Sequence, residues 1–344
     1  MCANRVGHIE TAIETSAMLA GLETEKRVVT DTRFLNHEPG RASMITAVPT
    51  TEGVVPFHGH KVWYRIAGDR EDPGRLPLLC LHGGPGVPHD YLEPLEAVAA
   101  AGRRAIFYDQ LGCGNSDHPH DPSLWTVDLF VEELATMREA LGLERVHIFG
   151  HSWGGMLAME YALTQPEGLA SLVLADSPAS MRQFVEGTNR LRVALPADVQ
   201  ETLREHEAAG TTDDPAYQEA MMEFYRRHLC RLDPWPEFVG RTFEKLMQEP
   251  EVYLTMNGPS EFFVTGVLKD WDIVDRLAEI RVPTLITSGR YDEVTPEVME
   301  TVRRGIPGSE WVLFENSSHM APIEEPQRYM QVLNQFLSRV EQQL

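Results

Sequence analysis

The sequence predicts an α/β protein, a doubly wound and mostly parallel sheet with helices on both faces and a helical block inserted late in the chain. Three observations carry this. Short, continuous apolar runs recur at "LPLLCLH" (76–82), "RAIFYDQ" (104–110), "RVHIFG" (145–150) and "ASLVLAD" (170–176), as suits strands buried on both faces. A helical period separates two of these runs, and strand alternating with helix is the pattern of a sheet covered on both sides. The alternation stops over 179–275 and resumes with "TLITSGRYD" (284–292) and "EWVLFE" (310–315).

Residues 1–45 show no clear strand periodicity and are expected to form an extension, a short helix and a tail at most. From 46 onward, "GVVPFHG" and "KVWYRIAG" (61–68) have the aromatic and β-branched content of two strands joined by a short turn. Val127, Phe130, Val131, Leu134, Met137 and Leu141 recur at three- and four-residue steps, and Gly142 can end that helix. A closing helix at about 326–340 carries Tyr329, Val332, Leu333, Phe336 and Leu337 on one face. The stretch 179–275 is rich in Glu, Arg, Met and aromatic residues, with Pro234 and Pro236 around Trp235. An insertion there should fold as a helical cap over the C-terminal edge of the strands, where α/β proteins bind ligands. The expected organisation is an extension at 1–45, a core at 46–178 and 276–344, and a cap at 179–275.

With 344 residues, 42% of them hydrophobic, the chain can bury a substantial core. Its formal net charge of −22 argues against nucleic acid or an anionic membrane as partner and favours a cationic substrate. Cys2, Cys80, Cys113 and Cys230 are widely spaced, which fits unpaired thiols in a reducing compartment better than a disulfide framework or a zinc site. The pairs His58/His60 and His118/His120 lack a third ligand in a recognisable motif, so no metal or other cofactor is assigned. No apolar run approaches a membrane span, and "AMLAGL" (17–22) is too short for a secretory core, so the expected location is the cytoplasm.

The strongest chemical signal is "FGHSWGGMLAMEYAL", starting at Phe149 between a predicted strand and a predicted helix. Gly150-His151-Ser152-Trp153-Gly154 fits G-x-S-x-G, in which glycines permit a turn tight enough to expose a serine hydroxyl at a helix N-terminus. A serine nucleophile needs a base, and the base an orienting carboxylate, in the chain order Ser, Asp or Glu, His. Asp292 ends the strand "TLITSGRYD", and His319 lies in "ENSSHMAPIEEP" after the last strand. His319 is therefore the expected base and Asp292 its partner. His151 should point away from the serine hydroxyl, and Asp270, Asp272 and Asp275 precede the strand rather than end it, so both alternatives rank lower.

Acyl transfer by serine creates an oxyanion that needs two N–H donors. One comes from the residue after the nucleophile, Trp153. The other comes from the loop His82-Gly83-Gly84-Pro85-Gly86. That loop continues Val87-Pro88-His89-Asp90 without the Lys of a phosphate loop, and the dinucleotide spacing of glycines also fails.

Together "HGGPG" (82–86), "YDQLGCGNSD" (108–117), "GHSWGG" (150–155) and "SGRYDEVTP" (288–296) resemble the prolyl iminopeptidase family of α/β-hydrolases. In the cap, "MNGPSEF" (256–262) and "KDWDI" (269–273) resemble its tricorn-interacting aminopeptidase branch. The resemblance implies an α/β-hydrolase fold and release of one N-terminal residue, often proline, from short peptides or amino-acid amides. It implies that Glu261 and Glu293 bind the free α-ammonium, and that Gly84 N–H stands opposite Trp153 N–H in the oxyanion hole. Cys113, in "LGCGNS", is expected either to confer sensitivity to thiol reagents or to be buried and inert. An amidase or esterase of the same fold is the nearest alternative. Dehalogenases and epoxide hydrolases of this fold use an Asp nucleophile, against which Ser152 argues.

Overall fold

The structure, a computed structural model, describes residues 26–29 and 48–344; the helix and tail expected in the rest of 1–45 lie outside the described residues. Among the described residues nine strands form one sheet: β1 (Lys26–Val29), β2 (Thr50–Phe57), β3 (His60–Ala67), β4 (Leu78–Leu81), β5 (Ala105–Tyr108), β6 (Val146–His151), β7 (Leu169–Ala175), β8 (Thr284–Gly289) and β9 (Glu310–Phe314). Their order across the sheet is β1-β2-β3-β5-β4-β6-β7-β8-β9. The first three strands and β5 pair antiparallel, and everything from β5 to β9 is parallel. β1 lies in the stretch 1–45, where the sequence shows no clear strand periodicity. "KRVV" is too short to show a period, and it gains its partners by pairing with β2 from Lys26 opposite Gly53 to Val29 opposite Thr50.

Strand alternation sorts the core into two layers. Leu79, Leu81, Ile106, Ile148, Leu172, Leu174 and Ile286 pack in one apolar cluster, and Leu78, Cys80, Phe107, Phe149, Val173 and Leu285 pack in the other. Successive side chains on a strand point to opposite faces, so a continuous apolar run serves both. The first cluster is closed by α1 (Val127–Ala140), α2 (Trp153–Leu163) and α8 (Pro296–Gly305). Thr126 caps α1 by accepting the Leu129 N–H at 3.2 Å. The second cluster is closed by α10 (Pro326–Glu341) and a 3-10 helix at His89–Ala101. That 3-10 segment, unforeseen in the sequence, contains Pro94, which breaks α-helical hydrogen bonding, and it ends at Gly102 with φ 75°.

Five helices, α3 (Met181–Arg192), α4 (Ala197–Ala209), α5 (Pro215–His228), α6 (Glu237–Gln248) and α7 (Glu251–Met256), lie between β7 and β8. α6 is tied to the core through Asp90, whose carboxylate accepts from Arg241 Nε at 2.7 Å and Lys245 Nζ at 2.8 Å. No described helix is long and apolar enough to cross a membrane.

Candidate active site

The turn between β6 and α2 holds Ser152 at φ 54°, ψ −123°, a strained conformation for a non-glycine residue. Its surroundings leave no space for larger neighbours. A Cβ on Gly150 would strike the Gly154 carbonyl, one on Gly154 the Leu81 carbonyl, and one on Gly155 the Ser177 hydroxyl. The Ser152 N–H donates to the Ala175 carbonyl of β7 at 2.9 Å, which anchors the turn to the sheet.

His319 and Asp292 come together beside it. His319 Nδ1 donates to Asp292 Oδ1 at 2.7 Å, and the same oxygen accepts the Val294 N–H at 2.9 Å. This bond fixes the tautomer and leaves Nε2 unprotonated and able to accept a proton. Ser152 and His319 line one cavity of about 340 Å³, with Gly83, Gly84, Glu261 and Glu293. Most of its remaining wall is apolar and comes from the inserted helices, including Met221, Leu229, Phe243, Leu246 and Tyr253.

Glu293 is buried and Glu261 is half-buried. Tyr253 Oη donates to Glu261 Oε1 at 2.6 Å, while Glu293 Oε1 is 3.7 Å from His319 Nε2. Burial pushes both carboxyls up from the ordinary carboxylate range, and Glu293 is pushed further by the adjacent Glu261 and Asp292. Among the described residues, no Lys or Arg pairs with either, and Glu293 Oε2 is buried with no hydrogen-bond partner. Two carboxylates, one buried and one half-buried, lining one cavity with no Lys or Arg paired to them among the described residues form a site for a cation.

Gly84 and Trp153 meet Ser152 in a crevice off this cavity. Gly84 has φ 109°, and a Cβ there would lie 2.6 Å from Val87 N, so only glycine fits; the following Gly84–Pro85 peptide is cis. The Trp153 N–H is the first of α2 and has no acceptor within the helix. Its ring is held by the "YDQLGCGNSD" loop, where Gln110 Oε1 accepts from Trp153 Nε1 at 2.8 Å.

The remaining sequence candidates separate clearly. His151 is buried, with Nε2 donating to the His319 carbonyl at 2.7 Å and Nδ1 2.9 Å from Tyr91 Oη. Tyr91 Oη also accepts the Gly83 N–H at 2.7 Å, so one chain of hydrogen bonds joins the glycine loop to the His319 loop. Cys113 is buried, and burial pushes its thiol well up, which settles it as an inert thiol. Asp272 accepts from Ser180 Oγ at 2.7 Å and serves packing. His58 lies 2.9 Å from Glu132, and His118 and His120 stack on each other.

Sequence reasoning does not single out Tyr91, Tyr253 or Asp176. For Asp176 a signal existed: it ends "ASLVLAD" as Asp292 ends "TLITSGRYD", so both acids reach the same sheet edge.

Residues 77–326 match the family described as alpha/beta hydrolase fold, which defines the class. Within it, the proline iminopeptidase of Saccharolobus solfataricus is 40% identical over 295 residues, covering 86% of this chain and 94% of that protein. The one from Clostridium botulinum is 41% identical over 297 residues, covering 84% and 98%. The crystal structure of proline iminopeptidase from Mycobacterium smegmatis superposes with a TM-score of 0.79 at 43% identity, covering 84% and 98%. That of VinJ gives 0.82 at 44%, with the same coverage. The chain belongs to the proline iminopeptidase family.

Proposed function

We propose that this chain is a serine aminopeptidase releasing an N-terminal residue, preferentially proline, from short peptides or amino-acid amides through an acyl-enzyme. The observation that carries the proposal is the pair Glu261, half-buried, and Glu293, buried, in the cavity that Ser152 and His319 also line. A substrate α-ammonium between these carboxylates restores the charge balance that burial disturbs, and it fixes the scissile carbonyl at one distance from the nucleophile.

In this reading the Ser152 hydroxyl attacks the carbonyl carbon while His319 Nε2 takes its proton, and Asp292 stabilises the imidazolium. The oxyanion forms against the N–H groups of Gly84 and Trp153, both already positioned. Collapse breaks the C–N bond, His319 returns the proton to the departing amine, and water then releases the acyl group by the same route. Residues 179–275 act as a cap that supplies Glu261 and the apolar wall, which suits a proline ring and an uncharged leaving group. The three buried free thiols at Cys80, Cys113 and Cys230 support a reducing, cytoplasmic setting.

The nucleophile is tested with a prolyl anilide and a fluorophosphonate probe. Ser152→Ala is expected to lower turnover by about a millionfold and to abolish labelling. A variant that keeps turnover would rule out the serine mechanism.

A further inference from the structure

Behind the His319–Asp292 pair stands a third acid that the mechanism above does not use. Asp176 ends β7 in the left-handed region, at φ 53°, and is fully buried. Its Oδ1 accepts the Gly289 N–H at 3.0 Å from the neighbouring strand. A carboxyl oxygen of Asp176, one of Asp292 and a His319 ring nitrogen all lie within 4.8 Å of one another. Taken as acceptors only, Asp176 Oδ2 and Asp292 Oδ2 are both buried with no partner. Two orphaned oxygens on neighbouring buried carboxyls are resolved together by a single proton between them.

The groups facing Asp176 leave no other solution. They are His151 from β6, Asp292 after β8, His319 and Glu324 after β9, and the phenols Tyr91 and Tyr329. None is a Lys or Arg. His151 Nε2 is 3.9 Å from Asp176 Oδ2 but spends its N–H on the His319 carbonyl, and burial keeps its imidazole neutral. Neighbouring carboxylates in a dry site cannot both be charged. Asp292 is the one bonded to His319, so the proton belongs on Asp176, whose carboxyl is pushed well up by burial and by Asp292.

We infer that Asp176 is a positioning residue: as a neutral acid it donates its O–H to Asp292 Oδ2, holding the carboxylate that orients His319. Asp292 then receives three donors, from His319 Nδ1, Val294 N and Asp176. The inference rests on the reading of Ser152, His319 and Asp292 as the catalytic triad.

The test is the pH profile of kcat/KM for a prolyl anilide in wild type, Asp176→Ala and Asp176→Asn. Losing the donor concentrates charge on Asp292 and favours the imidazolium. Asp176→Ala should therefore move the acid limb up by about one pH unit and lower kcat about tenfold with little change in KM. Asn can donate through its amide to Asp292 Oδ2 and accept from Gly289, so Asp176→Asn should bring the limb back near its wild-type position. If Asp176 is instead an anion, either variant removes a negative charge beside His319 and the limb moves down, which overturns the inference. Infrared spectra of wild type labelled in its aspartate carboxyls give a reading independent of variant folding. A protonated carboxyl band at neutral pH is expected, and its absence also overturns the inference. Retained turnover in Ser152→Ala would instead sink the triad reading itself, so the two failures are distinguishable.

Discussion

Glu261 and Glu293 line one cavity, yet neither has a Lys or Arg partner among the described residues. Replacing either by Gln keeps the volume and removes the charge. We expect Glu261→Gln and Glu293→Gln each to weaken kcat/KM for a free-amine substrate about tenfold or more, the scale of a charge-assisted hydrogen bond. Turnover of a neutral acyl ester should change far less, and equal losses on both substrates would show that they do not bind the amine. Because both carboxyls are raised, acidification neutralises them, so selectivity for the free amine should fall toward low pH. Glu133, buried in α1, offers a test of stability. Its carboxyl is pushed from 4.5 up to about 8 by burial, against a single N–H from Leu111. In that window the folded state holds a proton that the unfolded chain has released. Stability should therefore fall with rising pH by about 1.4 kcal/mol per unit. Urea unfolding at several pH values should show a shallower slope for Glu133→Gln than for wild type; equal slopes would refute the assignment. Ser152, Asp292 and His319 were legible because each follows a strand in a fixed chain order. Asp176 shares that strand-end position, but its proximity to Asp292 on the neighbouring strand is not written in the sequence.

At the scale of elements, α5 fastens the loops of the candidate site and α10 fastens the sheet. The His228 carbonyl, at the end of α5, accepts both the Glu293 and the His319 N–H at 3.2 Å, and His228 Nδ1 donates to the Tyr291 carbonyl at 2.8 Å. One inserted helix thus fastens the two loops that carry Asp292 and His319. α10 is fastened through Glu341, whose carboxylate takes Arg103 Nε at 2.9 Å, Arg103 Nη2 at 2.7 Å and Arg75 Nη1 at 2.9 Å. These partners hold the Glu341 carboxyl well below the usual carboxylate range despite its burial. Removing one member strands the Arg103 charge in the interior, so Glu341→Ala should destabilise the fold by about 3–5 kcal/mol in denaturant unfolding. A loss below about 1 kcal/mol would mean that the ion cluster contributes little beyond an exposed pair. The parallel strands were readable from their apolar runs, and α1 and α10 from their period. The 3-10 segment His89–Ala101 was not, because Pro94 interrupts the period while Tyr91, Leu92, Leu95 and Val98 still pack inward. β1 was invisible because its pairing with β2, and not its own four residues, makes it a strand.

Across the whole molecule, the net charge of −22 and the acidic cavity point the same way. On the proposed reading, a cationic substrate is drawn toward the protein and meets Glu261 and Glu293 in the cavity that Ser152 lines. Most of the remaining wall is apolar, so discrimination is expected to depend on whether the incoming amine carries a charge. The most direct test compares kcat/KM of the wild-type protein on a prolyl anilide and on its N-acetylated form. The free amine should be preferred by about 10⁴-fold, the scale for a site whose buried polar groups are left unpaired by the wrong ligand. Equal or faster turnover of the acetylated substrate would contradict an aminopeptidase and leave a general amidase or esterase.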